Sequence, residues 1–414
     1  MDQAANVALI RQHLIDPEIC IRCNTCEATC PVGAITHDDR NYVVRADVCN
    51  GCMACISPCP TGSIDNWRTV PRERAYSIEE QLGWDVLPPE LAPKDVPAQA
   101  LAPSTVAAPV DPLPVFEPTR WASTLPPWSA AHAYTNLYGP KSPVTATVTG
   151  NINCTESGFA NETHHIVLDF GAMPFPVLEG QSIGIVPPGL DATGRPHVAR
   201  QYSVASPRNG ERAGYNNLAL TVKRVTADHE CRPVRGVASN HLCDLQVGDT
   251  VQVIGPFGSS FLMPNHPRSN IVMICTGTGS APMRAMTEWR RRLRKTGKFE
   301  GGKLMLFFGA RTPQELPYFG PLQSLPKDFI DINLAFSRLP DQPKRYVQDL
   351  MRERAADLAA LLKDPSTCFY VCGLKSMEQG VMLALQDVAS SAGLAWDTLG
   401  AALQREGRLH LETY

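Results

Sequence analysis

Eight cysteines in two short runs carry the most distinctive chemistry in the chain. The first run reads Cys20-Ile-Arg-Cys23-Asn-Thr-Cys26-Glu-Ala-Thr-Cys30-Pro31, and the second reads Cys49-Asn-Gly-Cys52-Met-Ala-Cys55-Ile-Ser-Pro-Cys59-Pro60. Three thiolates three residues apart wrap a loop around three corners of an Fe4S4 cube, and in paired C-x2-C-x2-C-x3-C-P runs the fourth cysteine of each binds the other cluster. The spacing therefore assigns Cys20, Cys23, Cys26 and Cys59 to one 4Fe-4S cluster, and Cys49, Cys52, Cys55 and Cys30 to a second. A structural zinc site wants pairs of ligands closing a tetrahedron, and a disulfide framework belongs to oxidising compartments. Both fit this spacing less well. Pro31 and Pro60 fix the backbone leaving the last ligand and offer it no amide hydrogen. Few charges lie inside the loops, and burial with limited hydrogen bonding to sulfur keeps cluster potentials low.

Those thiols need a small scaffold, and the internal repeat supplies one. Cys30-Pro-Val-Gly-Ala-Ile35 matches Cys59-Pro-Thr-Gly-Ser-Ile64. Each half is expected to give a ligand loop, a turn of helix and a short strand such as Tyr42-Val43-Val44, related by a pseudo-twofold axis. This resembles the α+β pattern of a bacterial two-cluster ferredoxin domain, expected here over residues 1–67.

The remaining length asks for more than one further domain, since the chain has 414 residues. A net charge of -3 and a pI near 6.4 carry no polybasic signature, so nucleic acid and anionic membrane are poor partners. No apolar run is long enough to span a bilayer, and Met1-Asp2-Gln3-Ala4-Ala5-Asn6 lacks the basic and apolar regions of a signal peptide. The expected location is cytoplasmic; no oligomeric state follows from the pattern. Six cysteines lie outside the runs (Cys154, Cys231, Cys243, Cys275, Cys368, Cys372) with no pairing pattern, as expected of small buried hydrophobes in a reducing compartment.

Between 68 and 140 the composition changes. Eleven of the forty-four residues from Asp85 to Trp128 are proline. Such a segment cannot hold a helix and favours extended, semi-rigid structure. It reads as a linker, either a disordered tether or a strap packed along the next domain. From 141 to 267 short alternating β-branched runs follow: Val144-Thr-Ala-Thr-Val148, His165-Ile-Val-Leu168, Leu218-Ala-Leu-Thr-Val222 and Thr250-Val-Gln-Val-Ile254. Broken by glycine and proline turns, they suggest an antiparallel β-barrel. From 268 to 414 buried-strand runs (Ile271 to Ile274, Leu304 to Phe308) alternate with helical stretches (Met283 to Leu293, Val347 to Leu362), which implies a doubly wound parallel α/β sheet.

A further set of motifs runs through these two domains in a fixed order. Arg200-Gln201-Tyr202-Ser203 offers a guanidinium suited to a diphosphate and an aromatic plane suited to a flavin ring. Leu220-Thr221-Val222-Lys223, Gly236-Val237-Ala238-Ser239-Asn-His-Leu242 and Gly255-Pro-Phe-Gly258 follow. Thr276-Gly277-Thr278-Gly279-Ser280-Ala281-Pro282 joins a strand to a helix, where bare amides at the positive helix end can meet a dinucleotide's phosphates. Then come Ser337-Arg338, Lys344-Arg345-Tyr346-Val347-Gln348, Cys372-Gly373-Leu374-Lys375-Ser376-Met377-Glu378 and the terminal Glu412-Thr413-Tyr414.

In this order the stretch from about Lys141 to Tyr414 resembles the plant-type ferredoxin-NADP reductases. The resemblance implies that Arg200 meets the FAD pyrophosphate, Tyr202 packs on the isoalloxazine and Ser203 bonds near its N5. Gln201, Thr221, Val222, Lys223, Gly236, Val237, Ala238 and Ser239 would complete the flavin site. The family often has cysteine where Thr221 and Ala238 stand, a mild departure. The glycine-rich loop (Thr276, Gly277, Thr278, Gly279, Ala281, Pro282) would hold the NADP diphosphate. Ser337 and Arg338 would grip its 2'-phosphate, with Lys344 assisting and Tyr346 stacking on adenine. Gln348, Gly373, Leu374 and Met377 would line the rest. A dianionic phosphate needs converging cationic and hydroxyl donors, whereas NAD prefers an acid on the ribose. Cys372 would orient the nicotinamide, Glu412 with Ser203 would manage flavin protonation, and Tyr414 would cover the flavin face as a gate.

The joined arrangement, with the eight-cysteine domain placed before the reductase unit, resembles the reductase components of benzoyl-CoA epoxidase systems. That resemblance implies a path from NADPH to FAD to two 4Fe-4S clusters, and a separate di-iron oxygenase as electron acceptor. Neither a di-iron carboxylate pattern nor a CoA site is present in the sequence. Two other readings stand beside it: a general NADPH-dependent ferredoxin-type reductase, and an iron-sulfur carrier whose flavin half serves only for docking.

Overall fold

The computed structural model describes residues 9–22, 24–56, 59, 61, 63–89, 133–156, 162–227, 232–266, 268–299 and 301–414. Cys23, Cys231 and most of the proline-rich segment lie outside these residues, and with them the choice between tether and strap. The chain divides into two units, Met1–Pro127 and Trp128–Tyr414.

The first unit contains β1 (Leu9–Leu14), α1 (Thr25–Thr29), β2 (Ile35–His37), β3 (Tyr42–Val44), β4 (Asn66–Pro71) and α2 (Ile78–Leu82). β1 pairs antiparallel with β4, and β2 with β3. Ile15, Ala34, Ile35, Tyr42, Val44 and Ile64 form one buried cluster with Cys20, Cys26, Cys55 and Cys59. The repeat is only partly symmetric, because the second cysteine run makes a turn at 54–56 where the first makes α1.

The linker expected from residue 68 begins later than its composition suggests. β4 runs through Pro71, and α2 starts on a reciprocal cap: Glu80 N–H donates to Ser77 Oγ at 3.2 Å and Ser77 N–H to Glu80 Oε2 at 2.7 Å. From that helix the buried Gln81 donates to Val44 O at 3.0 Å and accepts from Val44 N–H at 3.2 Å. It thereby satisfies the free edge of β3, a role that fixes residues 72–84 to the cysteine core.

The second unit opens with a six-stranded antiparallel sheet. Its strands and one helix are β5 (Val144–Asn153), β6 (Thr163–Asp169), β7 (Ser182–Val186), β8 (Arg200–Ser203), β9 (Asn217–Lys223), α3 (Val237–Asp244) and β10 (Thr250–Phe257), in spatial order β8-β7-β10-β5-β6-β9. A bridge between Val204 and Leu220 joins the two outer strands and closes the barrel. Val144, Ala146 and Val148 point inward on alternate positions of β5, as the sequence pattern requires.

A five-stranded parallel sheet follows, with order β13-β12-β11-β14-β15. It is built from β11 (Asn270–Thr276), α4 (Ser280–Lys295), β12 (Leu304–Ala310), α5 (Phe319–Gln323), β13 (Asp331–Phe336), α6 (Val347–Glu353), α7 (Ala355–Lys363), β14 (Thr367–Gly373), α8 (Lys375–Ser391), α9 (Trp396–Arg405) and β15 (Leu409–Thr413). Buried clusters cover both faces. Strand order reverses between β11 and β14, so the carboxyl ends of those strands flank a crevice, the usual ligand position in such sheets. The single helix expected over Val347 to Leu362 is two, broken at Arg354. That side chain turns back to the sheet, donating to Asp331 at 2.5 Å, Asn333 at 2.9 Å and Asp357 at 2.8 Å.

Barrel and sheet share a buried ion pair. Arg284 of α4 donates to both carboxylate oxygens of Glu211 at 2.7 Å, and to Ala205 O at 2.8 Å. Burial alone would raise the Glu211 pKa, but Arg284 and His165 hold it well below its ordinary 4.5. The pair's stabilisation is therefore complete above about pH 4.5 and declines as the pH falls below that value. Arg284→Met should destabilise this unit by about 3–5 kcal/mol at pH 7, because it strands a buried carboxylate. Adding Glu211→Leu should restore most of the loss. In thermal unfolding the gap between wild type and Arg284→Met should narrow on acidification, first above about pH 4.5 as the stranded carboxylate takes up a proton and then below it as the wild-type pair is lost.

Candidate functional site

In the first unit Cys20, Cys26, Cys55 and Cys59 are buried, Cys30 and Cys49 are half-buried and Cys52 is exposed. Cys30, Cys49, Cys52 and Cys55 line one pocket together with His13 and Met53. The fourth cysteine of the first run thus stands with the first three of the second. Cys20, Cys26 and Cys59 share the core beneath; their fourth expected partner, Cys23, lies outside the described residues. Ala34 N–H donates to Cys30 Sγ at 3.2 Å, and Cys59 Sγ lies 3.4 Å from Ser63 Oγ. Burial pushes the Cys55 thiol up to about 11, so a thiolate there needs metal charge to compensate. Among the described residues no three His, Cys, Asp or Glu side chains converge on a single-ion site. The donor set and its buried setting fit an iron-sulfur body, which the thiols would ring rather than meet at a point.

In the second unit, β8 carries Arg200, Gln201, Tyr202 and Ser203 along an outer strand beside the barrel's closure. The Arg200 guanidinium meets only the carbonyls of Val198 (3.0 Å) and Ala199 (3.4 Å) among the described residues, which leaves it open to an anion. Tyr202 packs on the barrel core, and burial pushes its phenol up to about 12. Gly236 caps α3 without a side-chain bond among the described residues, so the amides at Val237 and Ala238 are left for a ligand at a helix start. Ser239 instead accepts from Val225 N–H at 3.2 Å. Val222 is buried in the barrel core. Thr221 is also buried, and its hydroxyl lies 2.7 Å from Tyr318 Oη of the parallel-sheet domain. These groups fit a bound FAD, with Thr221 contributing backbone only.

At the crevice, β11 passes through Thr276, Gly277, Thr278 and Gly279 into α4, whose first turn buries Ala281 and Pro282. A Cβ on Gly279 would stand 2.2 Å from Cys372 O, so this approach of the loop to β14 is open to glycine alone. The buried hydroxyls of Thr276 and Ser280 have no hydrogen-bond partner among the described residues. Orphaned donors beside a helix start are the arrangement a diphosphate satisfies. A cavity of about 530 Å³ opens here, lined by Thr276, Gly277, Thr278, Ser337, Tyr346, Gln348, Leu374, Met377 and Tyr414 from the sheet domain, and by Thr163 and Lys223 from the barrel.

Arg338 and Lys344 are not among the lining residues. Arg311 and Arg345 are, and Arg345 is tied to Glu353. Arg311 follows directly on β12, at the carboxyl end of a sheet strand where ligands bind, and that position rather than any motif is the signal for it.

The four residues expected to act on hydride and proton meet at one edge. Cys372 pairs with Glu412 across β14 and β15, and Gly373 with Thr413. Burial pushes the Cys372 thiol well up. Ser203 Oγ donates to Glu412 Oε2 at 3.4 Å across the domain boundary. Tyr414 Oη lies 2.7 Å from Thr278 Oγ1, while its backbone N–H donates to Gly373 O at 3.0 Å.

Known proteins resemble the barrel and the parallel-sheet domain. Residues 179–261 match the oxidoreductase FAD-binding domain and 273–382 the oxidoreductase NAD-binding domain. A ferredoxin-NADP reductase from the cyanelle of Cyanophora paradoxa is 38% identical over 290 residues, covering 67% of this chain and 78% of that one. The chain belongs to the ferredoxin-NADP reductase family. Similar relatives include the Spirulina ferredoxin-NADP reductase (35% identical, covering 67% of this chain and 98% of that protein) and leaf isozyme 2 of Oryza sativa subsp. japonica (34%, 77% and 87%). The Plasmodium falciparum ferredoxin-NADP+ reductase structure superimposes with a TM-score of 0.55 at 24% identity, covering 68% of this chain and all of that one. Its agreement is one of fold. Residues 12–60 match a 4Fe-4S dicluster domain. The fold class read from the sequence, a ferredoxin-like domain, a flavin-type barrel and a parallel nicotinamide-type sheet, is the one observed.

Burial raises the Glu412 pKa above its ordinary 4.5 while the Ser203 hydrogen bond opposes the shift. The acid form, able to give a proton, is thus populated below the raised value and lost as pH rises through it. Wild-type turnover with NADPH and ferricyanide should show a limb that declines across that rise. Glu412→Gln should lack it, as read in a steady-state pH profile.

Proposed function

We propose that this chain takes a hydride from NADPH onto FAD and sends electrons singly through two 4Fe-4S clusters to a separate protein, a di-iron oxygenase. The overall system would be the epoxidation of benzoyl-CoA in aerobic aromatic degradation, in the cytoplasm, with this chain as its reductase component. One observation carries the reading: a ferredoxin-NADP reductase unit shares one polypeptide with an eight-cysteine cluster-binding domain. A hydride brings two electrons and a cubane accepts one, and bound flavin supplies the conversion between them.

The chain's own residues bind and orient. Arg200 neutralises the FAD diphosphate, Tyr202 packs on the ring, and the amides of Gly236 to Ser239 complete the cradle. Thr276 to Gly279, ahead of Ala281 and Pro282, hold the NADPH diphosphate on open amides and hydroxyls. Ser337, Arg338 and Lys344 receive the 2'-phosphate, Arg311 adds positive charge from the end of β12, and Tyr346 stacks on adenine. Gln348, Gly373, Leu374 and Met377 shape the wall toward the nicotinamide. Cys372 orients that ring, Ser203 and Glu412 hold a proton near it, and Tyr414 must leave its place on Thr278 before the ring can stack. No described helix is long and apolar enough to cross a membrane.

A general reductase feeding another low-potential acceptor is the second reading. It is favoured by the named relatives, which are ferredoxin-NADP reductases. NADPH oxidation that accelerates when a benzoyl-CoA-epoxidising di-iron oxygenase and benzoyl-CoA are added supports the first reading. Indifference to both additions supports the second. Iron analysis should return about eight iron atoms per chain if two cubanes are present; four would remove one of them. Arg338→Ala should weaken NADPH by about 1.5–3 kcal/mol, the range of a hydrogen bond to a charged group, and leave NADH nearly unchanged. Equal losses for both coenzymes in titration calorimetry would take the 2'-phosphate away from Arg338.

A further inference from the structure

We infer that Tyr318 is a positioning residue that sets the distance between the two walls of the coenzyme cavity, and that Thr221 is its anchor on the barrel. The inference rests on the NADPH-to-flavin reading of that cavity. Its walls come from different domains: Thr163 and Lys223 from the barrel, Arg311 and Glu315 from the parallel-sheet domain. Thr163 and Lys223 are paired neighbours at the ends of β6 and β9. Two residues inward on these strands lie His165 and Thr221, a second cross-strand pair. Both meet the same hydroxyl. Tyr318 Oη lies 2.9 Å from His165 Nδ1 and 2.7 Å from Thr221 Oγ1.

Tyr318 sits three residues beyond Glu315, in the segment that leaves the opposite wall. Its backbone is left-handed (φ 63°), which a bulky residue adopts only where its surroundings hold it. Those surroundings are buried: His165 is 0% exposed, Thr221 3% and Tyr318 6%. One proton order suits the hydroxyls. Thr221 donates to Tyr318 Oη and Tyr318 donates to His165 Nδ1, while His165 Nε2, without a hydrogen-bond partner among the described residues, faces Glu211 Oε1 at 3.5 Å. The Arg284 guanidinium, 5.2 Å above the Tyr318 ring, is bound to the same Glu211. A second tie runs alongside, from Glu156 N–H to Gln314 O at 3.1 Å. The phenol therefore pins the strand ends that carry Thr163 and Lys223 against the loop that carries Arg311 and Glu315. Its hydroxyl touches no part of the cavity lining, so its effect on the reaction passes through those neighbours.

The test uses the full-length flavoprotein and two probes. NADP(H) spans both walls, whereas 2'-phospho-AMP needs only the Ser337 and Tyr346 side. Tyr318→Phe should lower the anaerobic stopped-flow rate of flavin reduction by NADPH by roughly ten- to a hundredfold, as misplacement near 1 Å does. It should also shrink the nicotinamide-flavin charge-transfer band and leave 2'-phospho-AMP affinity within about twofold. Thr221→Val, which keeps the shape and removes the donor, should shift both readouts in the same direction. The double variant should be no worse than Tyr318→Phe alone, since that change already breaks the contact that Thr221→Val removes. Rates within about twofold of wild type in either single variant would overturn the inference, and so would 2'-phospho-AMP affinity falling in step with the rate. If Tyr318→Phe does not fold, Thr221→Val decides alone by the same two readouts. A wild type whose flavin NADPH never bleaches would fail differently: the reductase reading falls first, and Tyr318 then has no reaction to align.

Discussion

The second unit is organised by one close approach. The turn after β11 presses on the end of β14 so tightly that Cys372 O occupies the place a Cβ of residue 279 would need. Because the two strands meet without side chains between them, loop amides, the start of α4 and the Cys372 thiol fall within a single coenzyme's length. Gly373, with φ +143° and its own hydrogen facing Thr276, extends the same constraint from the other strand. Beside it the buried hydroxyls of Thr276 and Ser280 have no hydrogen-bond partner among the described residues. The cost of burying them falls to a ligand to offset.

The barrel is joined to that sheet through polar contacts as well as packing. Ser203 to Glu412, Glu211 to Arg284, and Thr221 with His165 to Tyr318 all cross the boundary. Directional bonds fix orientation where apolar contact alone allows sliding. A reaction between rings supplied by two domains needs that fixity. The first unit solves a different problem, since burial disfavours the Cys55 thiolate unless metal charge offsets it.

Much of this was legible in the residues. The cysteine spacing is a ligand pattern in itself, and Cys30 does stand with Cys49, Cys52 and Cys55. Strand alternation in Val144 to Val148 and the apolar runs at Ile271 and Leu304 announced barrel and sheet. What composition hid were features made by contacts distant in sequence. Proline content from Asp85 onward suggests a linker starting near 68, yet Gln81 is drawn onto Val44 across 37 positions. The Val347 to Leu362 pattern reads as one helix because the cause of its break, Arg354 reaching for Asp331, is tertiary. Arg311 has no motif and is placed only by the end of its strand. Thr221 stands in a flavin motif, while its hydroxyl is spent on another domain.

The last residue shows how an obstruction can also be quick to clear. Tyr414 is anchored through its main chain, with N–H on Gly373 O and its carbonyl accepting from Lys375 N–H at 3.1 Å, while the residue is exposed and its hydroxyl is held by one neutral hydrogen bond among the described residues. Releasing the ring thus asks for about 1 kcal/mol and a rotation about side-chain bonds, with no strand to unzip. Exposed side chains make such rotations in picoseconds to nanoseconds, far faster than a typical enzyme turns over. The bond to Thr278 therefore cannot by itself set the pace of catalysis.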